Sequence, residues 1–319
     1  MSGAAAESAV RTVFFGSGSF AVPILDALVA MPGLRVVAVV SAPDRPSGRK
    51  AVVTATPVTA RARELDLPVL QPVRVRHPEA VEALSALAPD LVVLADYGQL
   101  IPRVLLDLPP RGFLNLHPSP LPRHRGAAPI PATILGADAE SAVSLMIVTE
   151  GMDEGPIVAT APLEVRPDDT AVTLEARAAG VAAELIRRAL PEWLAGRLVA
   201  CPQGTEGVTV TRPLRREDGR LNAAADVVAL ERQIRAYQPW PGSYLETPVG
   251  RLIVWRATVC PGAAGCDVAA LVAEDDGLAL VAGGEGRLRL EVVQLAGKTR
   301  MTGAELRRGY PGVIGKCLV

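Results

Sequence analysis

A doubly wound, mostly parallel α/β sheet followed by a small, OB-like β-barrel is the architecture this sequence predicts. Three observations carry it. Over roughly the first 200 residues, short apolar runs alternate with helical stretches, the rhythm of βαβ units covered on both faces. Past that point the rhythm becomes short apolar runs separated by turn residues, which reads as a barrel. The chain's 319 residues exceed what one core usually carries, so two domains are expected. The division falls at 1–200 for the α/β domain, 201–211 for a linker and 212–319 for the barrel, with about 1–10 a frayed tail.

The elements follow in order. RTVFFG (11–16) is an apolar run ending in glycine, FAVPILDALVAM is helical, and LRVVAVVS (34–41) is a second strand. TPVTARARELDL is helical and PVLQP is a short strand. PEAVEALSALAP is helical, with Pro78 placed as a first-turn proline. LVVLA (91–95) and FLNLH (113–117) read as strands of the fully buried type, and SAVSLMIV (141–148) and PIVATAPLEV follow them. A long helix over about 170–194 closes this half. In the second half ADVVALERQIRAY is one amphipathic helix. GSYLET, GRLIVWRATV, VAALVA, LALVAG and RLRLEVVQL are the barrel strands.

Composition narrows the function. Hydrophobic residues make up 49% and charged residues 21%, which suits a folded, soluble chain of the cytoplasm. The opening MSGAAAESAV has no basic n-region and no continuous apolar block, so it is expected to fray rather than to target. No apolar run reaches the ~18 residues a membrane helix needs. The net charge of −1 gives no overall basic field for a nucleic acid. Residues 207–319 nevertheless hold 15 Lys/Arg against 12 Asp/Glu, while 1–206 hold 18 against 22, so the positive charge sits in the second half. Cys201, Cys260, Cys266 and Cys317 form no C-x-x-C, and three histidines are too few to complete a zinc site with them. Reduced thiols and no metal are expected.

Two motifs are set aside. GSGSFA (16–21) matches the G-x-G-x-x-G/A dinucleotide fingerprint between a strand and a helix. The second strand, however, ends in Ser41 rather than beside an acidic residue for the ribose, and Asp44 comes later. A tight turn that lets backbone approach a ligand is the expectation. AGKTR (296–300) lacks the glycine that a phosphate loop needs five residues before Gly297, where Val292 stands.

The chemistry concentrates in LNLHPSPLPRHRGAAPIP (114–131). Asn115 and His117 are two apart on a strand, so both point to one side. Pro118 ends the pairing and places them at the strand's carboxyl end, where open α/β sheets bind ligands. An amide N–H can hold a developing oxyanion, and an imidazole can move a proton near neutral pH. After the next strand comes EGMDEGPIV, whose Asp153 is expected to converge on the pair from an adjacent strand end. No Ser or Cys sits in a nucleophile context such as G-x-S-x-G. The set therefore favours direct transfer between two substrates over a covalent intermediate. His124 is expected as surface or RNA-side packing and His77 as solvated.

NLHPSPLPRHRGAAPIP resembles the signature of the folate-dependent formyltransferases, and RGAAPI in particular resembles their methionyl-tRNA branch. The resemblance covers nearly the whole chain. FFGSGSFAVPILDAL, SAPDRPSGR, ADYGQLIP and GMDEGPIV match along the first half, and IRAYQPWPGSYLE and LAGKTRM match in the barrel. It implies a formyltransferase fold, 10-formyltetrahydrofolate as formyl donor and initiator methionyl-tRNA as acceptor, in translation initiation. It further implies a monomer. By resemblance Asn115 would hold the oxyanion, His117 would carry the proton, and Asp153 would orient the imidazole and set which ring nitrogen is free. Ser119, Pro120, Leu121 and Pro122 match the folate-contacting loop, and Tyr97 and Gly98 match a substrate-pocket segment. The family usually has S-L-L-P where this chain has SPLP, so Pro120 removes one backbone donor.

For the tRNA, the resemblance places Arg49 and Lys50 in a long loop that enters the acceptor stem. Arg212, Arg215 and Arg216 are expected to follow phosphates, with Arg220, Arg232 and Arg235 beside them. Such contacts make affinity fall steeply with salt. Three rivals stand beside this reading: an N-formyltransferase acting on an amino-sugar nucleotide, a nicotinamide oxidoreductase using the GSGSFA turn, and a non-catalytic RNA-binding protein.

Overall fold

A computed structural model describes residues 9–47, 52–262, 268–275, 277–284 and 286–317. The chain divides into two compact units. The first comprises 1–129, 140–164 and 175–211, the second 130–139, 165–174 and 212–319.

The first unit is built on a seven-stranded sheet: β1 (Val10–Gly16), β2 (Leu34–Val40), β3 (Val69–Leu70), β4 (Leu91–Ala95), β5 (Phe113–His117), β6 (Glu140–Ile147) and β7 (Ile157–Glu164). Its order is β7-β6-β5-β4-β1-β2-β3. The five strands from β5 to β3 run parallel, while β6 and β7 are antiparallel to their neighbours. β4 and β5 are buried at every residue; β4 is apolar throughout, while β5 buries the polar Asn115 and His117 among apolar neighbours. Helices α1 (Val22–Val29), α2 (Pro57–Glu64), α3 (Pro78–Ala86) and α4 (Ala171–Leu194) supply the alternation. Thr56 caps α2 by accepting from the Thr59 amide at 3.0 Å, and Pro57 and Pro78 occupy first-turn positions that need no donor. Phe14, Phe15, Ile24, Leu25, Leu91, Leu114 and Leu145 are fully buried. Each contributes roughly 1.5–3 kcal/mol of apolar transfer.

The turn after β1 is tight, and what approaches its backbone is a side chain of the same sheet edge. A Cβ on Gly18 would lie 1.8 Å from Oδ2 of Asp96, the residue after β4, so close approach excludes a side chain. Asp44 is engaged elsewhere. It accepts from Gln71 Nε2 at 2.6 Å and from Arg63 at 3.1 Å, and the Gln71 bond chiefly holds its carboxyl below the usual range.

Residues 201–211 differ from the expected linker. Cys201 and Ile157 exchange both backbone bonds at 2.8 Å, and Val210–Thr211 pair in parallel with Arg125–Gly126. Backbone pairing needs no apolar pattern, so a polar, glycine-bearing stretch hides it.

The second unit is an antiparallel half-barrel, the form the expected barrel takes. Its main strands are β8 (Ser243–Thr247), β9 (Gly250–Cys260), β10 (Ala270–Glu274), β11 (Gly277–Val281) and β12 (Arg287–Leu295), ordered β8-β9-β12-β11-β10, with the short strand Gly315–Lys316 beyond β10 and Met301–Thr302 paired to β12. Register shifts around Arg256 bend β9 against β12. α5 (Val227–Ala236) is capped by Asp226, which accepts from the Val228 and Ala229 amides at 2.9 and 3.2 Å. Leu252, Leu278, Leu280, Leu288 and Val293 form the core with α5 residues Leu230 and Ile234. AGKTR is the turn after β12, with Gly297 at φ +82° and the Lys298 amide on the Leu295 carbonyl at 2.9 Å. Among the described residues no helix is long and apolar enough to cross a membrane.

Candidate active site

β5 brings the first two groups together. Its alternation puts Asn115 and His117 on one side, and both are buried, 7% and 5% exposed. The chain turns at once after His117, where the Ser119 amide donates to the His117 carbonyl at 2.9 Å. The loop beyond is fixed by two hydroxyls. Ser119 Oγ donates to the Arg123 carbonyl at 2.7 Å, and Ser144 Oγ on β6 donates to the Ser119 carbonyl at 2.7 Å. Ser119 and Leu121 are buried, and Pro120 and Pro122 are half-buried.

Asp153 completes the set by a route the sequence did not indicate. β6 runs antiparallel to β5, with Ile147 opposite Leu114 and Ser144 opposite His117. The loop after β6 therefore starts near the amino end of β5 and folds back to reach Asn115 and His117. The expected convergence from an adjacent strand end is corrected to this extent: the strand is adjacent, but its antiparallel run brings Asp153 back by the loop. At its destination the carboxylate is well supplied with donors. Oδ1 accepts from Asn115 Nδ2 at 3.2 Å, and Oδ2 accepts from the Gly126 amide at 2.8 Å. His117 Nδ1 lies 3.6 Å from Oδ2, an ion-pair distance rather than a hydrogen bond.

The other ring nitrogen decides the tautomer. His117 Nε2 is 2.9 Å from the His124 carbonyl oxygen. A carbonyl only accepts, so Nε2 carries hydrogen and Nδ1 is the nitrogen left to receive a proton. A proton taken there lands against Asp153. The expectation that Asp153 sets the free nitrogen is thus corrected, because the His124 carbonyl does so. His124 is corrected as well. It is buried at 7% exposure, holds φ +55°, and its amide donates to Thr209 Oγ1 at 2.8 Å. Exposed His77 is solvated, as expected.

Of the remaining site residues, Tyr97 and Gly98 follow β4. Tyr97 is buried edge-on against Phe15, with centroids 5.2 Å apart. Its hydroxyl has no hydrogen-bond partner among the described residues, and burial pushes it up to about 12. Both residues line a cleft of about 630 Å³ at the carboxyl ends of β1, β2 and β4, with Ser17, Arg45, Thr54, Thr56, Asp96 and Gln99. Arg49 and Lys50 lie outside the described residues. Arg215, Arg216 and Arg220 are exposed. Arg212, expected to follow phosphates, is exposed and also carries an ion pair. Its guanidinium grips Asp218 at 2.7 and 2.6 Å, which, with the Arg215 amide, holds that carboxyl at about 2. Arg235 is likewise paired, with Glu231 at 2.6 Å, and donates to the Asp169 carbonyl at 2.8 Å.

The family model described as formyl transferase matches residues 10–190, and that described as formyl transferase, C-terminal domain, matches 213–311. A methionyl-tRNA formyltransferase from Myxococcus xanthus is 40% identical over 300 residues, covering 94% of this chain and 95% of that protein. The chain belongs to the methionyl-tRNA formyltransferase family. The corresponding protein of Geobacter sulfurreducens is 36% identical, with 94% of each chain covered. Among solved structures, the sugar 3N-formyl transferase WlaRD, determined with dTDP and 5-N-formyl-THF, has a TM-score of 0.67 at 14% identity, covering 91% of this chain and 99% of that one. HypX from Aquifex aeolicus, in complex with tetrahydrofolic acid, has a TM-score of 0.62 at 17% identity, covering 94% of this chain and 47% of that one. At these identities the two structures share the fold alone.

Proposed function

We propose that this enzyme transfers the formyl group of 10-formyltetrahydrofolate to the α-amino group of methionine on initiator tRNA, by direct attack through a tetrahedral intermediate. The observation that carries the proposal is the network of buried Asn115 and His117 with half-buried Asp153 at the end of β5. The curated relatives described above, all methionyl-tRNA formyltransferases, support the acceptor. The amine attacks the formyl carbon, a C–N bond forms, and the formyl oxygen becomes an oxyanion. Asn115 has two amide hydrogens, of which one is on Asp153, and the second is available to that oxygen. One such donor supplies roughly 10²–10³ in rate. The proton shed by the attacking nitrogen goes to His117 Nδ1, where Asp153 holds the imidazolium. It then passes to the folate nitrogen as that C–N bond breaks.

Ser119, Pro120, Leu121 and Pro122 form the donor-side loop in this reading, joined by Tyr97 and Gly98. Pro120 offers no amide hydrogen, so donor contacts at that position use its carbonyl or ring. Arg49, Lys50, Arg215 and Arg216 are the proposed tRNA contacts. The catalytic domain is 1–200 and the tRNA-binding domain 212–319, in a cytoplasmic monomer. The test supplies labelled donor with initiator methionyl-tRNA, elongator methionyl-tRNA or a dTDP-amino sugar. Label on the initiator supports the proposal. Label on the amino sugar alone keeps the chemistry and rejects the acceptor.

A further inference from the structure

Gln203 lies in the stretch that reads as a linker, and it joins two loops of the site. Its Nε2 donates to the carbonyl oxygens of Asp153 and Gly155, each at 2.8 Å. Its Oε1 accepts from Nε and Nη2 of Arg125, at 3.0 and 2.7 Å. Arg125 stands between His124, whose carbonyl holds His117 Nε2, and Gly126, whose amide holds Asp153 Oδ2. One amide side chain therefore ties the strand-end loop that fixes the imidazole to the turn that carries the carboxylate.

The turn needs such a tie. Asp153 has φ +50°, a left-handed conformation that persists where its surroundings over-determine it. Gln203 brackets this residue by bonding the carbonyl of Asp153 itself and that of Gly155, two positions on. Gly155 leaves no slack, because a Cβ there would meet the Ile147 carbonyl oxygen at 1.9 Å. The fork from Arg125 leaves the Gln203 amide one orientation, with oxygen toward the guanidinium and nitrogen toward the two carbonyls.

We propose that Gln203 is a positioning residue for formyl transfer, setting the Asp153 carboxylate against Asn115 and His117 through the Arg125–Gln203 bridge. The assignment rests on the function proposed above. Gln203 touches no reacting atom, so its loss acts on the chemical step rather than on substrate affinity. A small displacement of a catalytic group costs on the order of 10–100-fold.

The test is a coupling cycle in the full-length chain. Single-turnover transfer to initiator methionyl-tRNA is measured for wild type, Gln203→Ala, Asp153→Asn and the double variant, with KM for both substrates and Tm for each. The expected result is a rate about 10–100-fold lower in Gln203→Ala with both KM values within about twofold. In the Asp153→Asn background the same change costs less than about twofold, because a residue acting through Asp153 has nothing left to position. Gln203→Glu serves if the alanine variant fails to fold. It keeps an acceptor for Arg125, removes the donor to the two carbonyls, and lowers the rate alike. An unaffected rate in the single variant, or an undiminished loss in the Asp153→Asn background, overturns the assignment while leaving the proposed function standing. A wild-type chain that formylates no methionyl-tRNA overturns both.

Discussion

Two places along the carboxyl edge of one sheet are built differently. At β1, β2 and β4 the strand ends open into a polar cleft of about 630 Å³, with Asp96, Gly98 and Gln99 on its wall. At β5 a largely buried network leaves Asn115, His117 and Asp153 each with a partner. An open cleft can accept a bulky ligand, whereas a dense network of fixed dipoles can stabilise charge as it develops without reorganising. Binding and chemistry are therefore expected to be separable by mutation.

The largest effect falls on the network. His117→Ala lowers kcat about 10²–10⁴-fold, the usual value of a positioned proton carrier, with KM for the donor nearly unchanged. Asn115→Ala lowers it about 10²–10³-fold, and pre-steady-state rates of formyl transfer check both. Gly126→Ala is expected to cost stability as well as rate. The residue holds φ +96°, and a Cβ would meet the Thr211 carbonyl oxygen at 2.2 Å while its amide holds Asp153. The expected loss is about 1–3 kcal/mol of unfolding free energy, read from urea titration.

The open cleft gives the contrast. A Cβ added at Gly98 would meet nothing within 4 Å, and its φ lies outside the left-handed region, so Gly98→Ala leaves Tm unchanged. A rise in donor KM there, with kcat preserved, marks a binding surface, and a fall in kcat would join the cleft to the chemistry. The smallest effect concerns Arg212. Asp218 titrates at about 2 instead of 3.8, so its ion pair stabilises the fold fully above pH 3.8 and that contribution is lost as pH falls toward 2. Arg212→Ala should flatten that part of the stability profile and leave the salt dependence of tRNA affinity unaltered. A smaller salt slope would return Arg212 to the phosphate contacts.

Much of this was legible because it is local. Strand alternation alone puts Asn115 and His117 on one face, and an unbroken apolar run marks β4 as central. The GSGSFA turn could be set aside because the second strand ends in Ser41 and Asp44 comes later, and Asp96 against Gly18 supplies a physical reason for the glycine. What stayed hidden depends on partners distant in the chain. Antiparallel pairing of β6 decides how Asp153 arrives, and no local pattern distinguishes it from parallel. His124 holds His117 through a carbonyl, a group every residue carries, so its type gave no signal. Gln203 and Thr209 act from a stretch whose polarity matches an exposed linker. Arg212 resembled its neighbours in charge, and only Asp218 six positions on shows that its fork is taken.

The most direct measurement is the pH dependence of single-turnover formyl transfer to initiator methionyl-tRNA by wild type and Asp153→Asn. If Asp153 holds the imidazolium that forms at His117, the substitution lowers the rate by at least about 10²-fold and changes the limb set by His117. A variant with the wild-type rate and an unmoved profile would contradict the account, leaving the Asn115–Asp153–His117 network a feature of the fold and not of the reaction.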